Sequence, residues 1–147
     1  MKTEYVTHTP EETERVGAEL AQECCADGPC FIALYGDLGA GKTAFVRGFA
    51  SVLAPNAKVK SPTYTVVNSY RGNAHPVYHF DFYRITDDDE LYSIGFYDYL
   101  SEGYCIGEWS ENIPYAIPTG SRTVTIEKDA NDPAIRRIRI GTYGGEA

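Results

Sequence analysis

Across residues 10–25, PEETERVGAELAQECC, the apolar side chains of Val16, Leu20 and Cys24 recur at helical spacing with polar residues between them. Thr9 is placed to cap that helix, Pro10 suits its first position, and Glu11 and Glu12 lie where the helix dipole favours negative charge. After the turn at Asp27, Gly28 and Pro29 the period changes. Residues 30–35 (CFIALY) are almost wholly apolar, as in a strand covered on both faces. Residues 42–53 (KTAFVRGFASVL) return to helical spacing, with Phe45, Val46, Phe49, Val52 and Leu53 on one face and Pro55 as the stop. Residues 63–70 (TYTVVNSY) and 77–83 (VYHFDFY), rich in β-branched and aromatic side chains and separated by RGNAH, predict a hairpin. Residues 87–100 predict an acidic cap followed by one helix, and residues 104–107 (YCIG) a short strand before a proline-containing connection. Residues 122–127 (RTVTIE) and 135–140 (IRRIRI), around the turn-forming DANDP, predict a second hairpin. Strands and helices in this order imply a three-layer α/β domain with a mixed, partly parallel sheet.

Composition keeps that picture to a single domain. A chain of 147 residues with 43% hydrophobic and 23% charged residues has the balance of a globular protein. At this length folding hides roughly two thirds of the surface that the unfolded chain exposes. Thirteen basic against 21 acidic residues give a formal charge of −8, which disfavours autonomous nucleic-acid binding. No apolar run reaches the length of a membrane helix, and MKTEYVTHTP lacks the apolar stretch of a signal peptide, so a cytoplasmic location is expected. Cys24, Cys25, Cys30 and Cys105 contain no C-x-x-C pair and are expected as small buried hydrophobes or free thiols. His8, His75 and His79 share no metal-ligand spacing, and zinc is not indicated.

Candidate chemistry begins where the apolar strand meets the second helix. Residues 36–43 read GDLGAGKT and satisfy G-x-x-x-x-G-K-[ST] through Gly36, Gly41, Lys42 and Thr43, with Gly39 as one more position free of a Cβ. In such a P-loop the glycines let backbone N–H groups approach phosphates, the lysine reaches the β and γ oxygens, and the hydroxyl ligates Mg²⁺. The alternative is a glycine-rich turn before an amphipathic helix, but the motif's required strand and helix are both present. No N-K-x-D run of the guanine-binding kind occurs, which favours ATP.

A P-loop enzyme also needs acids to hold Mg²⁺ and orient water. Asp81 in HFDFYR and Glu108 after YCIG are the candidates, against a plainer role as surface or strand-end acids. Ser61, Pro62, Thr63, Tyr64 and Thr65 follow at a distance where P-loop switches keep a hydroxyl, although Thr also suits the start of a hairpin. The run from Asp87 to Glu90 reads as a solvated helix start. Alternation puts Arg137 and Arg139 on one strand face and Arg136 on the other, where a nucleotide contact and an exposed edge-strand role stand equal.

GDLGAGKT, SPTYT, HFDFYR, DELYSIGFYDYL and the Glu108–Trp109 pair, in this order over roughly residues 9–140, resemble the TsaE family, P-loop ATPases of threonylcarbamoyladenosine tRNA modification. The resemblance implies a P-loop NTPase-type fold and an ATP-hydrolysing accessory to the TsaB and TsaD partners; the charge and hydropathy above add the expectation of no membrane contact and no direct tRNA binding by the chain alone. It places the phosphates on the loop Gly36, Asp37, Leu38, Gly39, Ala40, Gly41, Lys42 and Thr43, and Mg²⁺ on Thr43 and Glu108. Asp81 becomes the catalytic or water-orienting acid, with Lys42 and the switch hydroxyl of Thr63 beside it and Trp109 next to the nucleotide. The first helix and last strand would bring Glu11 or its neighbours and Arg136 near the base or ribose. Two positions depart from the family pattern: Gly107 where a bulky aliphatic is expected, and Ser110 where proline is common. A small-molecule kinase would need a lid and an acceptor pocket for which the short connections leave little room. A nucleotide-sensing adaptor that does not hydrolyse remains the alternative from another class.

Overall fold

The computed structural model describes residues 3–36, 40–62 and 66–144. Its elements are β1 (Glu4–Thr7), α1 (Pro10–Asp27), β2 (Phe31–Tyr35), α2 (Lys42–Leu53), β3 (Val67–Tyr70), β4 (Val77–Asp81), α3 (Asp88–Ser93), α4 (Phe96–Glu102), β5 (Tyr104–Glu108), β6 (Arg122–Lys128) and β7 (Arg136–Thr142), with a 3-10 turn at Ser110–Asn112.

Seven strands form one sheet in the order β1-β7-β6-β2-β5-β4-β3. The inner four, β6, β2, β5 and β4, run parallel, whereas β7 and β3 pair antiparallel with β6 and β4 and β1 pairs antiparallel with β7. The α/β class and the mixed, partly parallel sheet predicted from the sequence are both present. Strand alternation divides the core in two. Ile32, Leu34, Ile106 and Val124 pack with Val16, Leu20, Phe45 and Phe49 of α1 and α2, while Phe31, Ala33, Phe80 and Cys105 pack on the other face with Leu91 and Phe96 of α3 and α4.

Local chemistry accounts for the helix limits. The Thr9 hydroxyl accepts the Glu12 N–H at 3.1 Å, and α1 ends where the Gly28 N–H donates to Cys24 O at 2.9 Å. Helix α1 packs on α2 through two glycines that let the backbones touch: a Cβ on Gly48 would stand 1.8 Å from Glu14 O, and one on Gly17 would stand 2.2 Å from Phe45 O. That close crossing fixes the axis of α2, and with it the direction in which its first turn points.

Three sequence expectations are corrected. The single helix over 87–100 is two helices: Asp87 Oδ1 caps α3 by accepting the Glu90 N–H at 2.9 Å, and Gly95, at φ 82°, turns the chain into α4. The strand expected to run to Tyr83 stops at Asp81, because Asp81 Oδ1 takes the Tyr83 N–H at 2.9 Å and bends the backbone away from the ladder. The arginine-bearing last strand is not an edge strand, since β1, unpredicted, covers it. The expected face division does hold: Arg137 and Arg139 are exposed and pair with Asp129 at 3.0 Å and Glu127 at 2.6 Å, while Arg136 is half-buried. The cysteines are the buried residues or free thiols expected: Cys24 and Cys105 are buried, Cys30 is half-buried, Cys25 is exposed, and all four are free. Burial pushes the Cys105 thiol up to about 12, which keeps it protonated and inert.

Candidate active site

The carboxyl ends of the parallel strands are where open α/β sheets collect ligands, and the sequence-predicted residues gather there. Strand β2 delivers Gly36, β4 ends at Asp81 and β5 at Glu108. Asp81 and Glu108 are register partners on adjacent parallel strands, so both project to the same face, toward α2. Both are buried, at 6% exposure each.

The loop between β2 and α2 is built on glycine. Gly36, at φ 148°, lies against β6 so closely that a Cβ would stand 2.6 Å from Ile126 O. Gly41, at φ 103°, is the left-handed residue from which α2 starts. The first residue of that helix is Lys42. Its side chain is 95% buried, its ammonium has no hydrogen-bond partner among the described residues, and it lies 4.3 Å from the centroid of the Trp109 ring. A buried ammonium without a hydrogen bond costs several kcal/mol unless an anion meets it. The amino end of α2 offers the same preference, through unpaired N–H groups and the helix dipole. Thr43 follows, half-buried. Asp37, Leu38, Gly39 and Thr63 lie outside the described residues.

Around this centre the structure places Trp109 at φ 59° and Val66 at φ 67°, the only non-glycine residues with positive φ among those described. Such a conformation is costly for a bulky residue and recurs where the surroundings hold a functional geometry. The Trp109 ring is 5.0 Å from that of Tyr83. Arg136 Nε stands 3.8 Å from where a Cβ of Gly41 would be, which brings the start of the last strand to the loop. Glu11 is exposed in the first turn of α1. Thr13, one turn inward and absent from the sequence reading, comes within 4.0 Å of the same Gly41 position, and its hydroxyl is bonded to Thr7 at 2.8 Å. A cleft of about 490 Å³ beside the loop is lined by Tyr35, Gly36, Ala40, Thr125, Ile126 and Lys128, among others. Burial raises the Tyr35 phenol above its ordinary value, so it faces the cleft as a neutral hydroxyl.

The sequence reading also passed over His79. It is fully buried, with Nε2 2.5 Å from Glu108 Oε2 and Nδ1 3.4 Å from the Tyr70 hydroxyl. The signal was available: in HFDFYR, His79 is two residues before Asp81 and so shares its strand face.

The family model described as threonylcarbamoyl adenosine biosynthesis protein TsaE matches residues 7–138. The chain belongs to the TsaE family. It is 36% identical over 127 residues to the tRNA threonylcarbamoyladenosine biosynthesis protein TsaE of Bacillus subtilis, covering 86% of this chain and 78% of that one. To the Haemophilus influenzae TsaE it is 38% identical over 111 residues, 75% of this chain and 70% of the relative. The crystal structure of Bacillus subtilis YdiB superposes with a TM-score of 0.76 at 29% identity, covering 96% of this chain and 85% of that one. The two departures from the TsaE pattern have local explanations. A Cβ on Gly107 would stand 2.3 Å from the Phe82 ring, so the residue that follows β4 supplies the bulk that residue 107 lacks. Ser110 is buried and donates its hydroxyl to Gly107 O at 2.7 Å, holding the turn after β5.

Proposed function

We propose that this TsaE-family chain binds ATP with Mg²⁺ at the glycine loop and hydrolyses it, as the cytoplasmic accessory ATPase of threonylcarbamoyladenosine formation on tRNA, acting on a TsaB–TsaD complex. The observation that carries the reading is the buried Lys42 ammonium at the amino end of α2, without a hydrogen-bond partner among the described residues, which asks for an anion. Lys42 holds the β and γ oxygens, and the N–H groups of the loop from Gly36 to Thr43 hold the rest of the phosphate chain. The cleft between the loop and β6 suits the nucleoside, and Arg136 and Thr13, which approach Gly41, with Glu11 in the same first turns of α1, are the further candidates to contact it. Thr43 and Glu108 would hold Mg²⁺, which when bound offsets the charge developing on the transferred phosphoryl group. Asp81 orients the attacking water, Thr63 contributes the switch hydroxyl, and the Trp109 ring covers Lys42 and excludes solvent.

The two acids should separate in behaviour. Glu108→Ala is expected to weaken Mg²⁺-dependent nucleotide binding, whereas Asp81→Ala should spare binding and slow hydrolysis by about a hundredfold. Titration of ATP and Mg²⁺ into both variants, beside single-turnover hydrolysis, checks this; equal loss of binding contradicts the division of labour.

The partner dependence follows from charge. In a chain at −8, Arg137 and Arg139 are already paired with Asp129 and Glu127, which leaves the densest basic group little free charge for phosphates. The isolated protein should therefore bind tRNA negligibly at physiological salt, and its ATPase should rise when TsaB and TsaD are added. Filter binding across salt concentrations and phosphate release with and without the partners test both statements. Tight, steeply salt-dependent tRNA binding by the chain alone, or an ATPase indifferent to both partners, would refute the accessory reading.

A further inference from the structure

Glu108 does not stand alone at the end of β5. Its Oε2 lies 2.5 Å from His79 Nε2, and since a carboxylate oxygen only accepts, Nε2 carries the proton in that contact. On the far side of the ring, Nδ1 lies 3.4 Å from the Tyr70 hydroxyl. That hydroxyl accepts the Lys60 N–H at 3.2 Å, and its one proton is shared between Nδ1, which accepts because the ring proton is on Nε2, and Lys60 O at 3.2 Å. The Tyr70 and His79 rings are tilted against each other with centroids 6.3 Å apart. His79 is fully buried, Tyr70 is 9% exposed and Glu108 6%.

We propose that His79 is a positioning residue that fixes the Glu108 carboxylate for the divalent cation, as the middle member of a chain running Lys60 backbone, Tyr70, His79, Glu108. The proposal rests on the cation site described above and gives it its orienting residues. The physical case is one of geometry. A glutamate side chain has three rotatable bonds, and a strand-end carboxylate left to itself would sample several orientations. Engaging Oε2 with a buried donor restricts the second oxygen to one defined orientation. The donor is in turn immobilised by packing and by Tyr70, the arrangement that raises metal affinity when ligands are held from behind. The chain of contacts ends on the backbone of Lys60, so Glu108 is tied through His79 and Tyr70 to the segment before β3.

The test compares two amides of similar polarity. In His79→Gln the amide nitrogen reaches the position of Nε2 and retains the donor to Glu108; in His79→Asn the shorter side chain withdraws it. Mg²⁺ is titrated into each protein at saturating ATP and followed by the fluorescence of Trp109, the single tryptophan of the chain, next to Glu108. ATP affinity in EDTA and thermal melts are recorded alongside. His79→Asn is expected to raise the half-saturating Mg²⁺ concentration about tenfold or more, with His79→Gln close to the parent and ATP affinity in EDTA the same for all three. Equal half-saturation for the Asn and Gln variants overturns the proposal, whether both match the parent or both rise alike. If His79→Asn does not fold, Tyr70→Phe carries the test: a higher half-saturating concentration supports the chain and an unchanged one overturns it. A parent that binds ATP with no response to Mg²⁺, and a Glu108→Ala variant identical to it, overturns instead the cation site on which the proposal rests.

Discussion

Replacing Lys42 by Ala is expected to lower ATP turnover by at least about a hundredfold, while the nucleotide-free protein melts at the parental temperature or above. The two halves of this expectation have one cause. In the free protein the Lys42 ammonium is 95% buried with no hydrogen-bond partner among the described residues, so its removal relieves a desolvation cost and leaves no other group orphaned. In the proposed ATP complex the same ammonium would meet the phosphate charge, and no other lysine or arginine begins α2. Thr43→Ala should also abolish turnover without unfolding, through loss of the Mg²⁺ hydroxyl. Phosphate release and thermal melts of both variants decide the matter: parental activity removes the assigned roles, and unfolding makes the residues structural.

The largest effect on stability is expected from Gly48→Ala, outside the site. The added methyl would lie 1.8 Å from Glu14 O and within 2.6 Å of the Glu14 Cα, backbone atoms that cannot turn aside. Helices α1 and α2 would have to separate, with loss of packing around Phe45, Phe49, Val16 and Leu20. The cost should be about 3 kcal/mol, the upper end for overpacking a core, and the melting temperature should fall by roughly 10 °C. Because the crossing aims α2 at the site, ATP affinity should weaken even below the melting range. A melting curve superposable on the parent's would show that the contact is not close. Arg47→Ala, on the exposed side of α2 with only a 3.4 Å surface pair to Glu14, serves as the mild control.

How far the fold could be read from the sequence depends on how strongly each segment was patterned. The strand, glycine loop and helix around residues 31–53 were legible because a continuous apolar run, a glycine cluster and a helical stripe follow each other without ambiguity, and α2 spans 42–53 as expected. Strand β1 was not, because four residues give no period: Tyr5 is only half-buried, and Thr7 is buried by a hydroxyl bond to Thr13 that sequence does not announce. The break at Gly95 was hidden inside an otherwise helical stripe, where a glycine reads as tolerable until its φ is known. Asp81 and Glu108 were identified as candidates one at a time. Their pairing is a matter of strand register, which depends on β4 and β5 being neighbours. His79 was missed for the related reason that a histidine with no partner near it in sequence looks idle, while its partners, Tyr70 and Glu108, arrive from two other strands.

The central claim is that the amino end of α2 is a nucleotide site closed by a divalent cation. Calorimetric titration of ATP into the purified chain, with Mg²⁺ and again with EDTA, tests it most directly. The account predicts one site per chain, tighter with Mg²⁺ than with EDTA, and no measurable heat of binding to the Lys42→Ala variant. Absence of saturable ATP binding to the parent, or binding that survives Lys42→Ala unchanged, would contradict it.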